Sequence, residues 1–317
     1  MMVLKRNAVV PATVLGLVLA APLLITHSYV VRIAVMIAYF AIAAYGWDII
    51  GGYAGQISIG QATFFAIGAY AVAIGFLSWT ISPIWGLLIG VVAATVVAWG
   101  IGSVVLRLRG PYFTLCTLAV CEVARILLLH FKDLTGGAEG RVIPFTGRNA
   151  YALQFATDVP YYYIAIGLLV ISMITCYCLN KSCLGYQLAA IRNNEEAAES
   201  IGIAPMAAKV KAFVISAAIT SLAGSFYVIY DHYIDPSSTA SIDLSIKILL
   251  IALLGGRRSL WGPLLGAVVL IPLTEVTNAY LGSVRAGASL LLYAVVILTV
   301  IMYAPDGVAR LLRPVKK

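Results

Sequence analysis

The chain has 317 residues, 62% of them hydrophobic and only 11% charged, with a formal net charge of +8. Soluble domains average about 45–50% apolar and about 25% charged residues, so a lipid bilayer, not water, is the solvent that fits this composition. The 21 Lys+Arg and 13 Asp+Glu form no basic run interleaved with aromatics, which argues against nucleic acid as a partner.

Along the chain, apolar stretches recur at about 8–25, 32–50, 57–79, 84–106, 113–131, 161–180, 209–230, 243–256, 261–281 and 286–304. Most approach the roughly 20 residues that a hydrocarbon core of about 30 Å demands. The first, after MMVLKRNAVVP, reads as a retained helix and not a cleaved leader, because its apolar run is long and more spans follow. The eighth is short: a half-helix, or a span whose ends neighbours bury. The expected fold is all-α, a polytopic transmembrane helix bundle of about ten apolar segments, some of them broken or half helices. It is expected to form a single transmembrane domain over residues 1–317, with a cytoplasmic loop at about 181–208.

Basic residues gather on the cytoplasmic side of membrane proteins. With the N-terminus inside, Lys5, Arg6, Arg107, Arg109, Lys181, Arg192, Lys209, Lys211, Arg257, Arg258, Arg310, Arg313, Lys316 and Lys317 fall inside, 14 of the 21. Arg32, Lys132, Arg141, Arg148 and Arg285 fall outside, and Arg125 and Lys247 lie in spans. The bias favours ten crossings with both termini cytoplasmic. The outer connection at about 132–160 ends at the Tyr161–Tyr163 cluster, which reads as an interfacial aromatic belt. The inner one, at about 181–208, contains a short helix candidate.

Three segments carry chemistry. In GGYAGQISIGQATFFAIGAY, Gly51, Gly52, Gly55, Gly60 and Gly68 interrupt a long apolar helix, and Gln56, Ser58 and Gln61 add hydrogen-bonding groups at membrane depth. Unwound backbone there must be buried in protein or line a wet cavity. A broken helix beside a translocation path and tight packing through small residues both fit. Next, Glu122 and Arg125 are three residues apart and share a helical face. They read as an intramembrane ion pair, fixing helix packing or lining the path, that faces protein and not lipid. Glu275 needs a partner from another helix or from water.

The third segment is AIRNNEEAAESIGIAPMAAKVK, residues 190–211. Asn193 or Asn194 can cap a helix with Glu195 and Glu196 in its first turn. Ala197, Ala198 and Ile201 give it a small apolar face, Gly202 stops it, and Pro205 bars its continuation. A helix of about two turns is poorly stable alone and needs a docking surface. The chain has no GxxxxGK[ST] nucleotide cradle, no HExxH motif and no nucleophile–base constellation. Cys116, Cys121, Cys176, Cys178 and Cys183 show no paired spacing and read as packing residues; His27, His130 and His232 read as interfacial.

Four blocks in order carry a family resemblance: GGYAGQISIGQATFFAIGAY; LRLRGPYFTLCTLAVCEVARILL with LTGGAEG; GYQLAAIRNNEEAAESIGI with KAFVISAAITSLAGSFY; and LLGGRRSLWGPLLGA. From about residue 35 to 310 the chain resembles the inner-membrane permease subunits of ABC importers for branched-chain amino acids. The third block matches the importers' cytoplasmic loop signature at Glu196-Ala197-Ala198 and Gly202, but AFVIS stands where the signature continues I-x-L-P. The resemblance implies that this loop, at Glu195–Ala198 and Gly202, docks on an ATPase. It also implies a second related permease, two cytosolic ATPases that hydrolyse the ATP, and a periplasmic substrate-binding protein, with no cofactor in this chain. Urea and short-amide importers have similar permeases. An ion-coupled secondary transporter would instead need coupling carboxylates, for which Glu122, Glu275 and Asp48 are the candidates.

Overall fold

The computed structural model describes residues 28–108, 110–145 and 150–281, the side chains as far as Thr277. The expected spans at 8–25 and 286–304, both termini, His27, Arg109, Arg148 and Arg285 lie outside the described residues.

In chain order, α1 (Ser28–Asp48) runs into a π-helical turn (Ile49–Tyr53), followed by α2 (Gln61–Trp79), α3 (Pro83–Val105) and α4 (Pro111–His130). A short α5 (Lys132–Thr135) leads into an irregular connection holding β1 (Arg141–Val142), and α6 (Asp158–Lys181) follows. Then come α7 (Cys183–Asn193), α8 (Glu195–Ser200), α9 (Pro205–Asp231), β2 (Tyr233–Ile234), α10 (Pro236–Thr239), α11 (Ile242–Gly255) and α12 (Gly262–Leu281). Among the described residues, seven stretches are long and apolar enough to cross a membrane: Ser28–Tyr53, Gln61–Trp79, Pro83–Val105, Pro111–His130, Asp158–Lys181, Pro205–Asp231 and Pro236–Gly255. Proline opens α3, α4 and α9, where its missing N–H would have had no helical partner anyway.

The bundle is built on two central helices. α9 packs on α1, α2 and α3, and α1 packs also on α6, α11 and α12. Lipid tails are as apolar as leucine, so helices associate in a membrane through close packing, which small residues permit. α9 buries such residues in series: Ser216, Ala217, Thr220, Ser221, Ala223, Gly224 and Ser225. Opposite them, a methyl group placed on Gly68 of α2 would stand 2.1 Å from the carbonyl oxygen of Ser221. Phe64 of α2 closes on Phe213 of α9 edge-to-face at 5.2 Å. α4 is peripheral. It buries only Phe113, Thr117 and Cys121, a stripe at every fourth residue.

Several expected boundaries move. The third span begins at Gln61 and not at 57, because residues 54–60 are non-helical. The seventh begins at Pro205, not 209, and the inner connection holds two helices, α7 and α8, where one was expected. The eighth is the 14-residue α11, lengthened by the turn of α10. The tyrosine cluster is no belt. Tyr161 and Tyr162 are buried and only Tyr163 is exposed. The Tyr161 hydroxyl accepts from the Phe155 N–H at 3.1 Å, and its ring meets Phe155 and Tyr230 edge-on. The outer connection is folded against the bundle, with β1 pairing antiparallel to β2 through Arg141–Ile234 and Val142–Tyr233.

The α2–α9 contact leaves no room for a side chain at position 68. Overpacking a tight interior costs about 1–3 kcal/mol, so Gly68→Val lowers the thermal stability of detergent-purified protein. Gly100→Val, on an α3 face with nothing within 4 Å of the added methyl, leaves it unchanged.

Candidate functional site

The break between α1 and α2 is held by side chains from other helices. At the π turn, Ala54 N–H reaches the Ile49 carbonyl at 3.2 Å and Gln56 N–H the Ile50 carbonyl at 2.9 Å. Gly55 then takes φ +73°, a left-handed conformation that glycine enters without steric cost. Trp47 Nε1 donates to the Ser58 carbonyl at 2.7 Å. Thr114 Oγ1 of α4 donates to the Ile57 carbonyl at 2.8 Å, and Ile59 N–H donates to Thr117 Oγ1 at 3.1 Å. Gln61 Nε2 donates to Ser216 Oγ at 3.1 Å, while its Oε1 accepts from Thr220 Oγ1 at 3.0 Å. Ser245 Oγ of α11 accepts from Ala62 N–H at 2.9 Å. The freed backbone groups therefore find partners on α1, α4 and α11, and the α2 entry is anchored on α9.

The candidate residues here divide by accessibility. Gly51, Gly52, Ser58, Gly60 and Gln61 are buried, whereas Gly55 is exposed and Gln56 half-buried. Ile57, between them and Ser58, is 50% exposed. The surface of the break is thus the short run 55–57, and Ser58 and Gln61 spend their polar atoms inside the protein.

At the same end of the bundle lies the α7–α8 segment. Asn194 is the capping residue: it leaves helical geometry at φ −158°, and its Oδ1 accepts from Ala197 N–H at 3.0 Å. Glu195 and Glu196 occupy the first turn, beside the positive end of the helix. Glu195 Oε2 pairs with Lys209 Nζ at 2.7 Å; Lys209 is 1% exposed and the Glu195 side chain 24%. Ala198 is buried against the bundle, while Glu196, Ala197, Glu199, Ser200 and Gly202 face outward. Ile201 is 75% exposed at the tip. Gly202 ends the segment at φ +86°. α8 is a short stub pinned from below by a buried ammonium, with a small acidic face and one apolar tip left open.

The two places are joined by Arg192, the penultimate residue of α7. Its Nη1 donates to the Gly52 carbonyl at 3.2 Å. Its aliphatic stem lies on Gly55, where a methyl group would meet Cγ at 2.6 Å. Asp48 accepts the Arg258 N–H with both carboxylate oxygens at 3.0 Å, tying the end of α1 to the α11–α12 turn. Tyr45 adds a bond from its hydroxyl to the Leu260 carbonyl at 2.5 Å. Burial, then the charges of Arg258 and Arg257, push Arg192 below the usual arginine range. Arginine stays charged at any physiological pH, so the consequence is crowding of positive charge around the break.

Glu122 and Arg125 form a bidentate ion pair, with Arg125 Nε 3.1 Å from each carboxylate oxygen and a further bond from Nη2. The pair does not face this chain's own interior. The two side chains are about one-third exposed, at 32% and 34%, on a helix with one narrow buried stripe. Lys247 sets its ammonium 4.2 Å from the centre of the Phe40 ring. Sequence reasoning missed Lys209 as the anchor of α8, and it missed Arg192 and the serine and threonine partners of the break. The spacing of Lys209, 14 residues after Glu195, gives no local signal, and only the polar residues along the α9 stretch hint at an internal face.

Comparison with known proteins now bears on this geometry. The family model described as the branched-chain amino acid transport system permease component matches residues 29–300. The chain is 29% identical to the high-affinity branched-chain amino acid transport system permease protein LivM of Escherichia coli, over 95% of this chain and 74% of that protein. It is 29% identical to the LivM protein of Salmonella typhimurium, over 90% of this chain and 71% of the relative. The probable LivM permease of Methanocaldococcus jannaschii is 21% identical over 70% of this chain and 67% of its own length. No solved structure matches the chain significantly. A helix bundle with membrane-length apolar spans, a packed break and an exposed stub, matched over most of its length by one family model, belongs to the branched-chain amino acid transport system permease family.

Proposed function

We propose that this chain is a multi-pass inner-membrane permease subunit of an ABC importer for branched-chain amino acids, forming half of the translocation path and receiving mechanical work from a cytosolic ATPase through α8. Family membership supports the transport role. The coupling role rests on one observation above all: the stub that fits a docking helix is followed through α7 to Arg192, whose guanidinium holds the carbonyl of Gly52 at the break. A displacement of α7–α8 therefore pulls on unwound backbone. Regular helix would resist such a pull with its own ladder of hydrogen bonds; no backbone–backbone hydrogen bond joins residues 54–60 to each other.

In this reading residues 1–317 form one permease domain with ten crossings and both termini cytoplasmic. The exposed run at Gly55–Ile57 lines the path, with Gly51, Gly52, Ser58, Gly60 and Gln61 shaping the break behind it. Glu195 and Ala198 fix the stub to the bundle, and Glu196, Ala197 and Gly202 meet the ATPase. The partly exposed Glu122–Arg125 pair on α4 is covered by the second, related permease, since charge at membrane depth is costly against lipid. The remaining partners are a second ATPase copy and a periplasmic substrate-binding protein, and ATP is bound only by the ATPases.

Charge reversal at the stub tests the docking. Glu196→Lys inserts normally, but stimulated ATP hydrolysis and leucine uptake by the reconstituted importer fall about tenfold or more, equivalent to about 1.4 kcal/mol of docking energy. Gly202→Trp behaves the same way, because a bulky residue is strained at φ +86° and projects into open space beside the stub. Normal transport in both variants would contradict the docking role. Arg192→Ala separates coupling from docking: the ATPase still copurifies, but amino acid moved per ATP hydrolysed drops severalfold. An unchanged ratio would mean that Arg192 carries no work to the break.

A further inference from the structure

We propose that the groove between α3 and α9, at the end of the bundle that carries α7 and α8, is a binding site for an anionic phospholipid. The groove encloses about 810 Å³, with Trp99 on one wall, Val214 and Ile215 on the other and Leu184 of α7 at its base. Its lining is almost wholly apolar, and Trp99 is 66% exposed, so the groove opens sideways toward where the bilayer lies. Two cations on different helices line it, Arg107 just past the end of α3 and Lys211 in the second turn of α9. Neither is paired with a carboxylate among the described residues: Arg107 Nε donates only to the Ser103 carbonyl, at 3.2 Å, and Lys211 makes no protein contact of this kind. Glu195, an acid of the neighbouring α8, is already taken by Lys209.

This arrangement matches a phospholipid end for end. Arg107 lies eight residues beyond Trp99, about 12 Å along the helix axis, so the apolar part reaches well into the hydrocarbon layer while the cations stay at its boundary. The volume falls within the range of about 300–1,000 Å³ typical of small-molecule pockets. Basic pockets between transmembrane helices at the cytoplasmic boundary suit anionic head groups, because two fixed cations and one diffuse phosphate charge complement each other where the dielectric is low. A second polypeptide is the poorer occupant. The walls and base all come from this chain, and the charged groups lining it are two cations with no carboxylate, unlike the mixed polar rim of a protein interface.

The test uses the full chain purified in detergent with its partner subunits, incubated with dioleoyl phosphatidylglycerol and dioleoyl phosphatidylcholine, and read by native mass spectrometry. The unaltered protein retains the glycerol lipid in preference to the choline lipid. The double variant Arg107→Gln/Lys211→Gln loses that preference by about 25-fold, about fivefold for each cation. Ala207→Trp, which fills the groove from an exposed position, displaces both lipids, and Lys181→Gln, a cation at the end of α6 outside the groove, changes nothing. Equal retention of the two lipids by the unaltered protein, or unchanged retention in the double variant, would overturn the proposal. So would a photoreactive side chain at position 207 that captures a polypeptide and no lipid.

Discussion

The structure depends on one constraint: a peptide group buried away from water must find a hydrogen-bond partner inside the protein. Between Ala54 and Gly60 the helix stops meeting that demand by itself. Side chains do it instead, with Trp47 from α1 and Thr114 and Thr117 from α4 bonding the unwound stretch, while Ser216 and Thr220 of α9 and Ser245 of α11 anchor the helix that resumes after it. An unsatisfied buried group costs about 1–3 kcal/mol, so the buried bonds of Trp47, Gln61 and Ser245 weigh most in whether the break can exist. The break is therefore as specified as a helix, but by long-range contacts.

That dependence places the break where it can be worked upon. A helix transmits a push along its axis as a rigid rod. A segment held mainly by side chains from three helices, α1, α4 and α11, shifts when any of them shifts. Arg192 adds a fourth holder, and it comes from the element directly before α8. Asp48 adds a fifth link, to the α11–α12 turn. Gly52 thus stands close to the α11–α12 turn, where a methyl group on it would lie 3.3 Å from the Arg258 nitrogen.

How much of this could be read from residues alone follows from the range of each interaction. Apolar runs, proline starts and the glycine-rich interruption are local, and the helices from 28 to 281 emerge within a few residues of their expected limits, seven of the stretches at membrane-spanning length. The cap at Asn194 and the stop at Gly202 are also local and legible. Lys209 is not: it pairs backwards across 14 residues and a change of direction, so no helical spacing announces it. The tyrosines mislead for a related reason. An interface belt and a packed outer connection use the same residue type, and only the Phe155 N–H on the Tyr161 hydroxyl tells them apart. The Glu122–Arg125 pair was legible as a pair from its spacing, but its exposure on α4 depends on which helices pack where, which no local pattern encodes.

The central claim is that motion at α8 reaches the break. It is tested most directly by the rate at which a water-soluble thiol reagent labels a cysteine placed at the exposed Ile57, in a background without the native cysteines and with the ATPase subunits bound. The rate should differ severalfold between the nucleotide-free and vanadate-trapped importer, and that difference should vanish when Arg192 is alanine. The same rate in both nucleotide states with Arg192 intact would show that the break does not respond to the ATPase, and would contradict the claim.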